Sequence, residues 1–283
     1  MEIVKVCKSC DNTKKYYLTS LGDNGWYIEA CLLFLEKYGY IICVSSQIGC
    51  THSCKFCASG STKFVRNLTA CEIEEQVKNI IEDNPALLNK GFQVTYMGSG
   101  EPLCNYENVF ISINHLIDTY PAMKKVNISS TIPLLFTRCF EEISWENYFG
   151  KLHFQYSLHF TNDFERFKYI SSDLLRISDA IEKLNIVSSK IGDIYKVNYI
   201  PFDGINDNKD CINKLQKIMM STNRAVLKIS RMCDINTSSL KPSRAFDSFA
   251  EIVKKKIKGT EVFRSNGTDV NAGCGQFYNE SLI

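Results

Sequence analysis

Three closely spaced cysteines within residues 50–57 constrain this chain more than any other feature of its sequence. They have the spacing C-x3-C-x2-C, and they are Cys50, Cys54 and Cys57. Thiolates are soft ligands, and three of them in one short loop can hold three irons of a 4Fe–4S cluster while the fourth iron stays open. The motif therefore predicts a metal centre that keeps one coordination position for another molecule.

Other metal sites use cysteines at different spacings. Structural zinc needs four ligands, commonly in two separated pairs, and His52 lies between two of the cysteines, where backbone strain disfavours it as a fourth ligand. A two-cluster ferredoxin needs a nearby fourth cysteine followed by proline, but the next cysteine, Cys71, has no proline after it. The spacing instead favours an open iron that chelates S-adenosylmethionine (SAM), from which an added electron releases a 5′-deoxyadenosyl radical.

The composition allows a large folded domain with little net charge. The chain has 283 residues, of which 45% are hydrophobic and 12% aromatic, and it carries 33 basic and 31 acidic residues. An α/β barrel of this length is common as a single domain. The charge balance argues against a basic surface over the whole protein, although residues 254–258 (KKKIK) are either a local basic patch or the solvated face of a helix.

The thirteen cysteines are expected to be thiols or metal ligands in a reducing compartment. The sequence opens with MEIVK, which lacks the apolar segment of a signal peptide, and it contains no run of 18 apolar residues. We therefore expect a cytoplasmic protein without a membrane span.

Strand-like and helix-like segments alternate along most of the chain. Strands are predicted over residues 39–45, 92–97, 125–129, 152–158, 194–200 and 225–229. Helices are predicted over residues 68–82, 105–120, 171–184, 207–220 and 243–258. Thr69 is the predicted N-cap of the first helix, and Glu72 completes a capping box there.

Repeated strand–helix units predict a parallel sheet with crossover helices. Six such units predict an α/β fold, a partial (β/α)6 barrel, and a short N-terminal β extension precedes it. We assign residues 1–38 to this extension and residues 39–283 to the barrel, which ends in a cysteine-containing loop. In such barrels the functional loops lie at the carboxyl ends of the strands.

The turn Gly98-Ser99-Gly100-Glu101 follows the second predicted strand of the barrel. Glycines let backbone groups approach a ligand closely, and the Glu101 carboxylate can neutralise the ammonium group of SAM. Alone, this turn would indicate only an ordinary strand–helix connection. Because it comes one unit after the cluster motif, it favours a SAM-binding role for Gly100 and Glu101.

Two isolated cysteines lie in different contexts. Cys274 stands between glycines in a polar segment, which indicates an exposed loop that another group approaches closely. Cys43 lies in the first predicted strand of the barrel without another cysteine in that strand, and by itself it indicates a core position. Seven further cysteines are interpreted as structural: Cys7, Cys10, Cys31, Cys71, Cys104, Cys139 and Cys211.

Seven segments, in order, resemble the RlmN and Cfr family of radical SAM ribosomal-RNA adenine methyl synthases. The resemblance runs from about residue 29 to residue 277, and seven ordered matches make it highly specific. The segments are CVSSQIGCTHSCKFCASG (43–60), FVRNLTACEIEEQV (64–77), YMGSGEPLCNYENV (96–109), YSLHFTND (156–163), DGINDN (203–208), KPSRAF (241–246) and RSNGTDVNAGCGQF (264–277).

The resemblance implies roles for both isolated cysteines. One SAM methylates the position that matches Cys274, and a second SAM at the cluster yields the radical that takes a hydrogen from this S-methyl group. The methylene radical then adds to carbon 2 or carbon 8 of an adenine. The position that matches Cys43 resolves the protein–substrate adduct and leaves a disulfide with Cys274.

The resemblance also implies a set of cofactor contacts. Glu101, Ser157 and Asn206 would bind SAM together with Gly100, and Glu29 would lie near the substrate base. The implied cofactors are a 4Fe–4S cluster and two SAM per turnover. An external donor such as flavodoxin or ferredoxin would supply the electron.

The chain departs from the family pattern where substrate would bind. The family has an N-terminal helical domain implicated in RNA handling, and this chain is expected to begin after it. The turn after the third barrel strand is shortened to residues 129–133. The loop at residues 229–234 (ISRMCD) lacks an expected asparagine of the SAM site and leaves Met232 or Cys233 there.

These features leave three functional hypotheses. The first is a radical SAM methyl synthase that acts on RNA, ribosomal or transfer, most plausibly at an adenine. The second keeps the chemistry but takes a small molecule, nucleotide or peptide as substrate, as the balanced charge suggests. The third, a non-methylating iron–sulfur protein, is disfavoured because both Cys43 and Cys274 are present.

Overall fold

The computed structural model describes residues 1–21 and 25–278, and within them the fold is α/β. The strands are β1 (Ile3–Lys8), β2 (Lys14–Thr19), β3 (Tyr27–Leu35), β4 (Gly39–Val44), β5 (Gln47–Ile48), β6 (Arg66–Asn67), β7 (Phe92–Tyr96), β8 (Met123–Ser130), β9 (Leu152–Ser157), β10 (Tyr195–Tyr199), β11 (Ala225–Ser230) and β12 (Glu261–Phe263). Ten of these strands form one sheet in the order β1-β2-β3-β4-β7-β8-β9-β10-β11-β12, and β5 pairs with β6.

Helices connect the parallel strands. They are α1 (Ala70–Asp83), α2 (Leu87–Lys90), α3 (Tyr106–Thr119), α4 (Phe136–Glu142), α5 (Asp163–Tyr169), α6 (Ile177–Lys190), α7 (Lys209–Met220) and α8 (Phe246–Lys256). The predicted capping box of α1 is confirmed, since Glu72 N donates to Thr69 Oγ1 at 3.2 Å and Thr69 N donates to Glu72 Oε2 at 3.0 Å. None of the helices in the described residues has the length and apolar character that a membrane crossing requires.

The six predicted barrel strands are confirmed as β4, β7, β8, β9, β10 and β11, each within about two residues of its expected ends. These strands are parallel from β4 onward, and β12 adds a seventh parallel strand that the sequence did not predict. The architecture is thus the predicted α/β fold, a run of parallel strands whose sheet is continued on one side by antiparallel strands.

One predicted helix is misplaced. Residues 171–176 are not helical, and α6 begins only at Ile177. The reason is a backbone contact with the segment after β8, where Leu134 N donates to Asp173 O and Leu175 N donates to Ile132 O. These hydrogen bonds satisfy backbone groups that a helix would otherwise use.

The polar N-terminal segment forms strands rather than an irregular arm. The strands β1, β2 and β3 pair antiparallel, and β3 pairs antiparallel with β4, so the extension continues the barrel sheet. Tyr16, Leu18 and Ile28 are fully buried and belong to the same core cluster as the barrel strands. The boundary that we predict at residue 38 falls in the turn between β3 and β4, and it stays a prediction.

Side chains alternate along the parallel strands between an apolar outer face and a polar inner face. In β7, Phe92, Val94 and Tyr96 pack in the main core, while Gln93 and Thr95 line an internal cavity. The same period of two places the other strands' polar residues inward, namely Asn127, Ser129, His153, Gln155, Ser157, Lys196, Asn198, Lys228 and Ser230. The barrel interior is therefore a polar cavity with helices packed outside it.

Candidate active site

One cavity of about 260 Å³ collects most of the predicted site residues. The inner faces of the parallel strands form its walls, and loops at their carboxyl ends surround its mouth. The predicted residues that line it are Cys43, Cys50, Cys54, Cys57, Gly100, Glu101, Ser157 and Cys274. Residues separated by more than 200 positions in the sequence therefore share one space.

The cluster loop follows β4 and β5 and is anchored by an aromatic contact. Phe56, between two of the cysteines, is buried against Phe160 and Phe202, with ring centroids 5.1 Å apart for Phe56 and Phe202. Lys55 N donates to Tyr169 O at 2.9 Å. These contacts hold the loop from below, so the three thiols face the cavity.

The chemistry of this donor set suits a 4Fe–4S cluster. Burial raises the pKa of Cys50, Cys54 and Cys57 above the ordinary thiol value, and neighbouring thiols add to the effect at Cys50 and Cys54. Three crowded, buried thiols stay protonated unless a strongly positive group replaces their protons. Bound iron would supply that positive charge, and Cys50, Cys54 and Cys57 would hold it.

His52 has other contacts for its ring nitrogens. Its Nδ1 lies 3.0 Å from Thr131 Oγ1, and its Nε2 lies 3.8 Å from Cys104 Sγ. Possible ligand atoms of His52, Cys104 and Asp173 lie within 4.8 Å of one another, but the Asp173 side chain is exposed. Exposed acidic groups commonly occur without an ion, so we assign no metal to this group.

The turn after β7 presents a fixed carboxylate to the cavity. Glu101 Oε2 accepts hydrogen bonds from Thr131 N at 2.9 Å and Thr131 Oγ1 at 2.8 Å, and Glu101 Oε1 accepts one from Leu103 N at 3.2 Å. Gly100 has φ +102°, and a Cβ at this position would lie 2.7 Å from Gln47 Cβ. The turn therefore has no room for a side chain at this position, and the SAM-binding role of Gly100 stays a prediction.

Ser157 and His159 lie at the carboxyl end of β9, and both line the cavity. His159 has a positive φ of 55°, and its buried Nδ1 has no hydrogen-bond partner within the described residues. Burial and the nearby Arg166 lower the pKa of His159 to about 3, so its imidazole is neutral near pH 7. An unpartnered buried nitrogen in the wall fits a bound polar cofactor such as SAM.

The structure does not bring Asn206 to the cavity lining. Its Nδ2 donates to His159 O at 2.7 Å and to Ile200 O at 3.0 Å, and its Oδ1 accepts from Phe202 N at 2.5 Å. The amide is fully buried and uses its donors and acceptor on backbone groups. Asn206 therefore joins the loops after β9 and β10 through backbone hydrogen bonds, one of them to His159. Its SAM-binding role stays a prediction.

Glu29 also lies outside the cavity lining. It is 1% exposed and forms an ion pair with Lys15 at 2.5 Å. Burial opposes the charged form of Lys15, but the Glu29 carboxylate beside it raises the Lys15 pKa above its usual value. Lys15 Nζ also donates to Asn271 O at 3.0 Å, so this pair supports the loop that carries Cys274.

Hydrogen bonds join the Cys274 loop to the cluster loop and to Ser265. Ala58 N donates to Gly275 O at 2.7 Å, and Cys274 N donates to Ser265 Oγ at 3.3 Å. The Cys274 side chain is accessible, and its Sγ lies 3.7 Å from Met97 Sδ. Cys43 and Cys274 are both free thiols here, so the disulfide that the resemblance implies is not formed in this structure.

Sequence reasoning missed Lys228, although it lies at the centre of this site. Its Nζ donates to Gln155 Oε1 at 3.0 Å and lies 3.9 Å from the centroid of the Phe263 ring. Burial lowers the pKa of Lys228 to about 8, while Cys274 acts in the opposite direction. Although residue 274 is exposed by surface area, the cavity walls around its sulfur exclude water, and this desolvation raises the pKa of Cys274 to about 12 while Lys228 opposes the rise. The sequence did contain a signal for Lys228, because a single lysine within the otherwise apolar strand AVLKIS indicates a buried charged group.

Sequence reasoning left Cys31 among the structural cysteines and did not place it in the site. Cys31 lies opposite Cys43 in the β3–β4 pairing and lines the same cavity. Met232 and Cys233, which the sequence placed near the SAM site, line the cavity as well. The signal for Cys31 was weak, because the register between β3 and β4 is not visible in the sequence.

Proteins of known identity resemble this chain over nearly its whole length. A protein of Pseudothermotoga lettingae named "Probable dual-specificity RNA methyltransferase RlmN" is 31% identical over 99% of this chain and 80% of its own length. A protein of the same name from Thermosipho melanesiensis is 32% identical over 100% of this chain and 80% of its own length. No protein-family model matches the chain.

A solved structure shares the fold. The crystal structure of a radical SAM methyltransferase from Sphaerobacter thermophilus superposes with a TM-score of 0.82 at 22% identity, covering 97% of this chain and 80% of that one. The sequence relatives, at 31% and 32% identity over nearly the whole chain, show the family, and the solved structure agrees with the fold. The chain therefore belongs to the RlmN-like family of radical SAM methyltransferases and is an enzyme of that class.

Proposed function

We propose that this enzyme methylates an sp2 carbon of an adenine in RNA through a methyl group carried on Cys274. The observation that carries the proposal is the shared cavity, in which Cys43 and Cys274 lie with the three cysteines of the cluster loop. An amidine-type ring carbon is not nucleophilic, so direct polar transfer from a sulfonium fails. A thiol that carries the methyl group close to a radical source removes this difficulty.

Cys50, Cys54 and Cys57 would hold the 4Fe–4S cluster, and Gly100, Glu101 and Ser157 would bind SAM. When bound, the cluster and SAM supply the radical that activates the methyl group on Cys274. Glu101 is suited to an ammonium group, because its carboxylate is held by Thr131 and Leu103 and faces the cavity. The neutral His159 offers a hydrogen-bonding nitrogen on the same wall.

Cys43 would release the product. After the methylene group of Cys274 has bonded to the substrate carbon, the Cys43 sulfur attacks the Cys274 sulfur. The carbon–sulfur bond breaks, its electrons stay with the substrate carbon, and a proton completes the methyl group. A disulfide then joins Cys43 and Cys274. An external dithiol must reduce it, with two electrons and two protons, before the next turnover.

The relatives are named RNA methyltransferases, which supports RNA as the substrate. We propose that this RNA is ribosomal or transfer RNA. Arg231 is exposed and lines the same cavity, where a cation can meet a phosphate backbone. Residues 1–38 would support the barrel of residues 39–283. A flavodoxin- or ferredoxin-type donor and a reducing cytoplasm complete the proposal.

A small polar substrate is the second candidate, and the inner wall of the barrel favours it. His153, Gln155, Lys196 and Lys228 present polar groups deep in the cavity, below the level of the cluster loop. Such groups would recognise a compact nucleotide or another polar small molecule through hydrogen bonds. The radical chemistry and the two thiols would be the same.

The experiment that tests the proposal uses the Cys43→Ala variant to trap the substrate. We expect the variant, expressed in cells, to carry a covalent adduct on Cys274, because the thiol that releases the product is missing. Mass spectrometry after nuclease digestion identifies the adduct as a nucleotide or a small molecule. In wild-type enzyme incubated with SAM alone, a methyl group on Cys274 is expected.

The Cys43→Ala,Cys274→Ala double variant is the matched control and should carry neither mark. An adduct without RNA nucleotides would reject the RNA substrate and favour the second candidate. Active enzyme in which Cys274 is never methylated would reject the mechanism itself.

A further inference from the structure

Cys31 and Cys43 form a pair of opposed thiols inside the cavity. They lie directly opposite each other where β3 pairs antiparallel with β4, so both side chains point to the same face of the sheet. Both line the cavity that contains Cys274. The Cys43 thiol is within hydrogen-bonding reach of the Cys31 sulfur, which raises the pKa of Cys43 together with burial.

The opposed positions allow a disulfide between them. Facing residues of an antiparallel pair have Cα atoms about 4.5–5.5 Å apart, and disulfides span Cα separations of roughly 4.4–6.8 Å. Cys31 is 1% exposed and Cys43 is 8% exposed. Because both thiols line the cavity, reagents and partner thiols reach them from that side.

The Cys274 loop packs against the same pair. Ala272 and Phe277, on either side of Cys274, form a buried cluster with Cys31 and Cys43. Met97 packs against this cluster, and its sulfur is 3.7 Å from Cys274 Sγ. A disulfide between Cys43 and Cys274 would therefore form beside a third thiol.

We infer that Cys31 is a resolving cysteine, which transfers the disulfide away from Cys274. The inference rests on the proposed function, because that function leaves a Cys43–Cys274 disulfide. The Cys31 thiolate attacks the Cys43 sulfur, and the bond from Cys43 to Cys274 breaks. Cys274 leaves with the bonding electrons and takes up the proton that Cys31 released, so one disulfide replaces another without net oxidation or reduction.

After the exchange, the disulfide that the reductant must reduce no longer includes Cys274, the methyl carrier. Cys274 becomes a free thiol at once and is ready to accept the next methyl group. The Cys31–Cys43 disulfide is reduced afterwards by an external protein dithiol, which supplies two electrons and two protons.

Tryptic peptides distinguish the two disulfides. Cys31 lies in residues 16–37, Cys43 in residues 38–55 and Cys274 in residues 265–283, and the first and last of these peptides contain no other cysteine. The reduced holoenzyme is treated anaerobically with one equivalent of the thiol oxidant diamide. Samples are quenched in acid at increasing times, alkylated, digested and analysed by mass spectrometry.

We expect the wild-type enzyme to end with peptide 16–37 linked to peptide 38–55 and with Cys274 free. In Cys31→Ala we expect peptide 38–55 linked to peptide 265–283, with a complete loss of free Cys274 in the oxidised fraction. A wild-type enzyme whose stable disulfide joins peptides 38–55 and 265–283 overturns the inference and leaves the proposed function standing.

A different result would count against both ideas. If Cys31→Ala forms no link between peptides 38–55 and 265–283, the Cys43–Cys274 disulfide is not accessible, and the proposed function fails with the inference. Cys139→Ala is the matched control, because Cys139 is a buried thiol of α4 outside the cavity lining. It should give the wild-type peptide pattern, and thermal unfolding of each variant checks that it is folded.

Discussion

At the scale of single residues, Gly100 lines the cavity at a backbone position that leaves no room for a side chain. Its φ of +102° lies where side chains are rarely tolerated, and a Cβ would meet Gln47 Cβ at 2.7 Å and Ser46 Oγ at 2.8 Å. Gln47 also accepts a hydrogen bond from Glu101 N at 3.0 Å. A side chain at Gly100 would therefore displace Gln47, which holds Glu101 in place. The carboxylate of Glu101 is the group that we propose to bind the ammonium group of SAM.

Gly100→Ala tests this position, and Gly204→Ala is the control, because it adds backbone strain without crowding. Gly204 also has a positive φ, +67°, but nothing lies within 4 Å of its missing Cβ. We expect Gly204→Ala to lower the free energy of unfolding by about 1 kcal/mol, and Gly100→Ala by roughly 2–4 kcal/mol because crowding adds to strain. Urea unfolding measures both, and equilibrium dialysis should find weaker SAM binding for Gly100→Ala only. Equal losses in the two variants would contradict the crowding argument.

At the scale of elements, the N-terminal hairpin holds the Cys274 loop in place. Asp269 lies in the single helical turn before that loop and accepts hydrogen bonds from Ser9 Oγ at 2.5 Å and Cys10 N at 3.1 Å. Asp11, in the β1–β2 turn, accepts a hydrogen bond from Gly267 N at 2.7 Å. The turn between β1 and β2 thus binds the segment that carries the proposed methyl carrier, from the opposite end of the chain.

Asp269→Ala should loosen the loop without touching the cavity. Asp269→Ala removes the acceptors of both hydrogen bonds. We expect this loss to raise the rate of Cys274 alkylation by iodoacetamide roughly fivefold, because the loop opens more often. Peptide mass spectrometry of residues 265–283 measures that rate. Asp210→Ala is the control. It removes an exposed carboxylate of α7 that, within the described residues, pairs with Lys214, and it should leave the rate unchanged. An unchanged rate in Asp269→Ala would show that the hairpin does not control the loop.

At the scale of the whole molecule, an ion-pair network joins distant parts of the sheet at the amino ends of its strands. Glu261 of β12 pairs with Lys196 of β10 at 2.8 Å and with Lys37 before β4, and it accepts a hydrogen bond from Tyr38 Oη at 3.0 Å. Strands from both sides of the barrel therefore meet at one carboxylate. This network closes the floor of the cavity, opposite the cluster loop.

The network predicts a specific loss of stability in acid. Burial alone would raise the pKa of Glu261, but hydrogen bonds from Lys196 and Lys37 lower it to about 2, below the ordinary value of 4.5. A carboxyl with a lowered folded pKa contributes stability above pH 4.5 and loses it as the pH falls towards 2. We expect Glu261→Gln to be less stable than wild type by roughly 1 kcal/mol at pH 7 and to approach wild type near pH 2.

Unfolding by urea at pH 7 and near pH 2 measures this difference. Glu251→Gln is the control, because Glu251 forms only an exposed pair with Lys254 on α8. It should change stability little at either pH. A Glu261→Gln deficit that persists unchanged in acid would mean that the side-chain shape, rather than its charge, supports the barrel floor.

Much of the fold was predictable because its signals are local. The strand period of two, the capping box at Thr69 and Glu72, and the alternation of strands with helices each occupy a short window of sequence. Residues 171–176 could not be assigned in this way, since their conformation depends on hydrogen bonds to residues 132–134, more than 35 positions away. The cluster loop was equally predictable, because its three thiols lie within eight residues.

The reaction class of this protein was predictable from Cys50, Cys54 and Cys57 and from the turn that ends in Glu101. The three-dimensional fold was needed to see which other groups share the cavity: Cys31 and Lys228 line it, and Asn206 and Glu29 do not. Asn206 lies in a loop after β10, where hydrogen bonds to distant backbone groups set its position, and for Cys31 the cause is the register between β3 and β4. A side chain's face depends on how its strand pairs with a neighbour, and that pairing is set by packing over the whole sheet rather than by nearby residues.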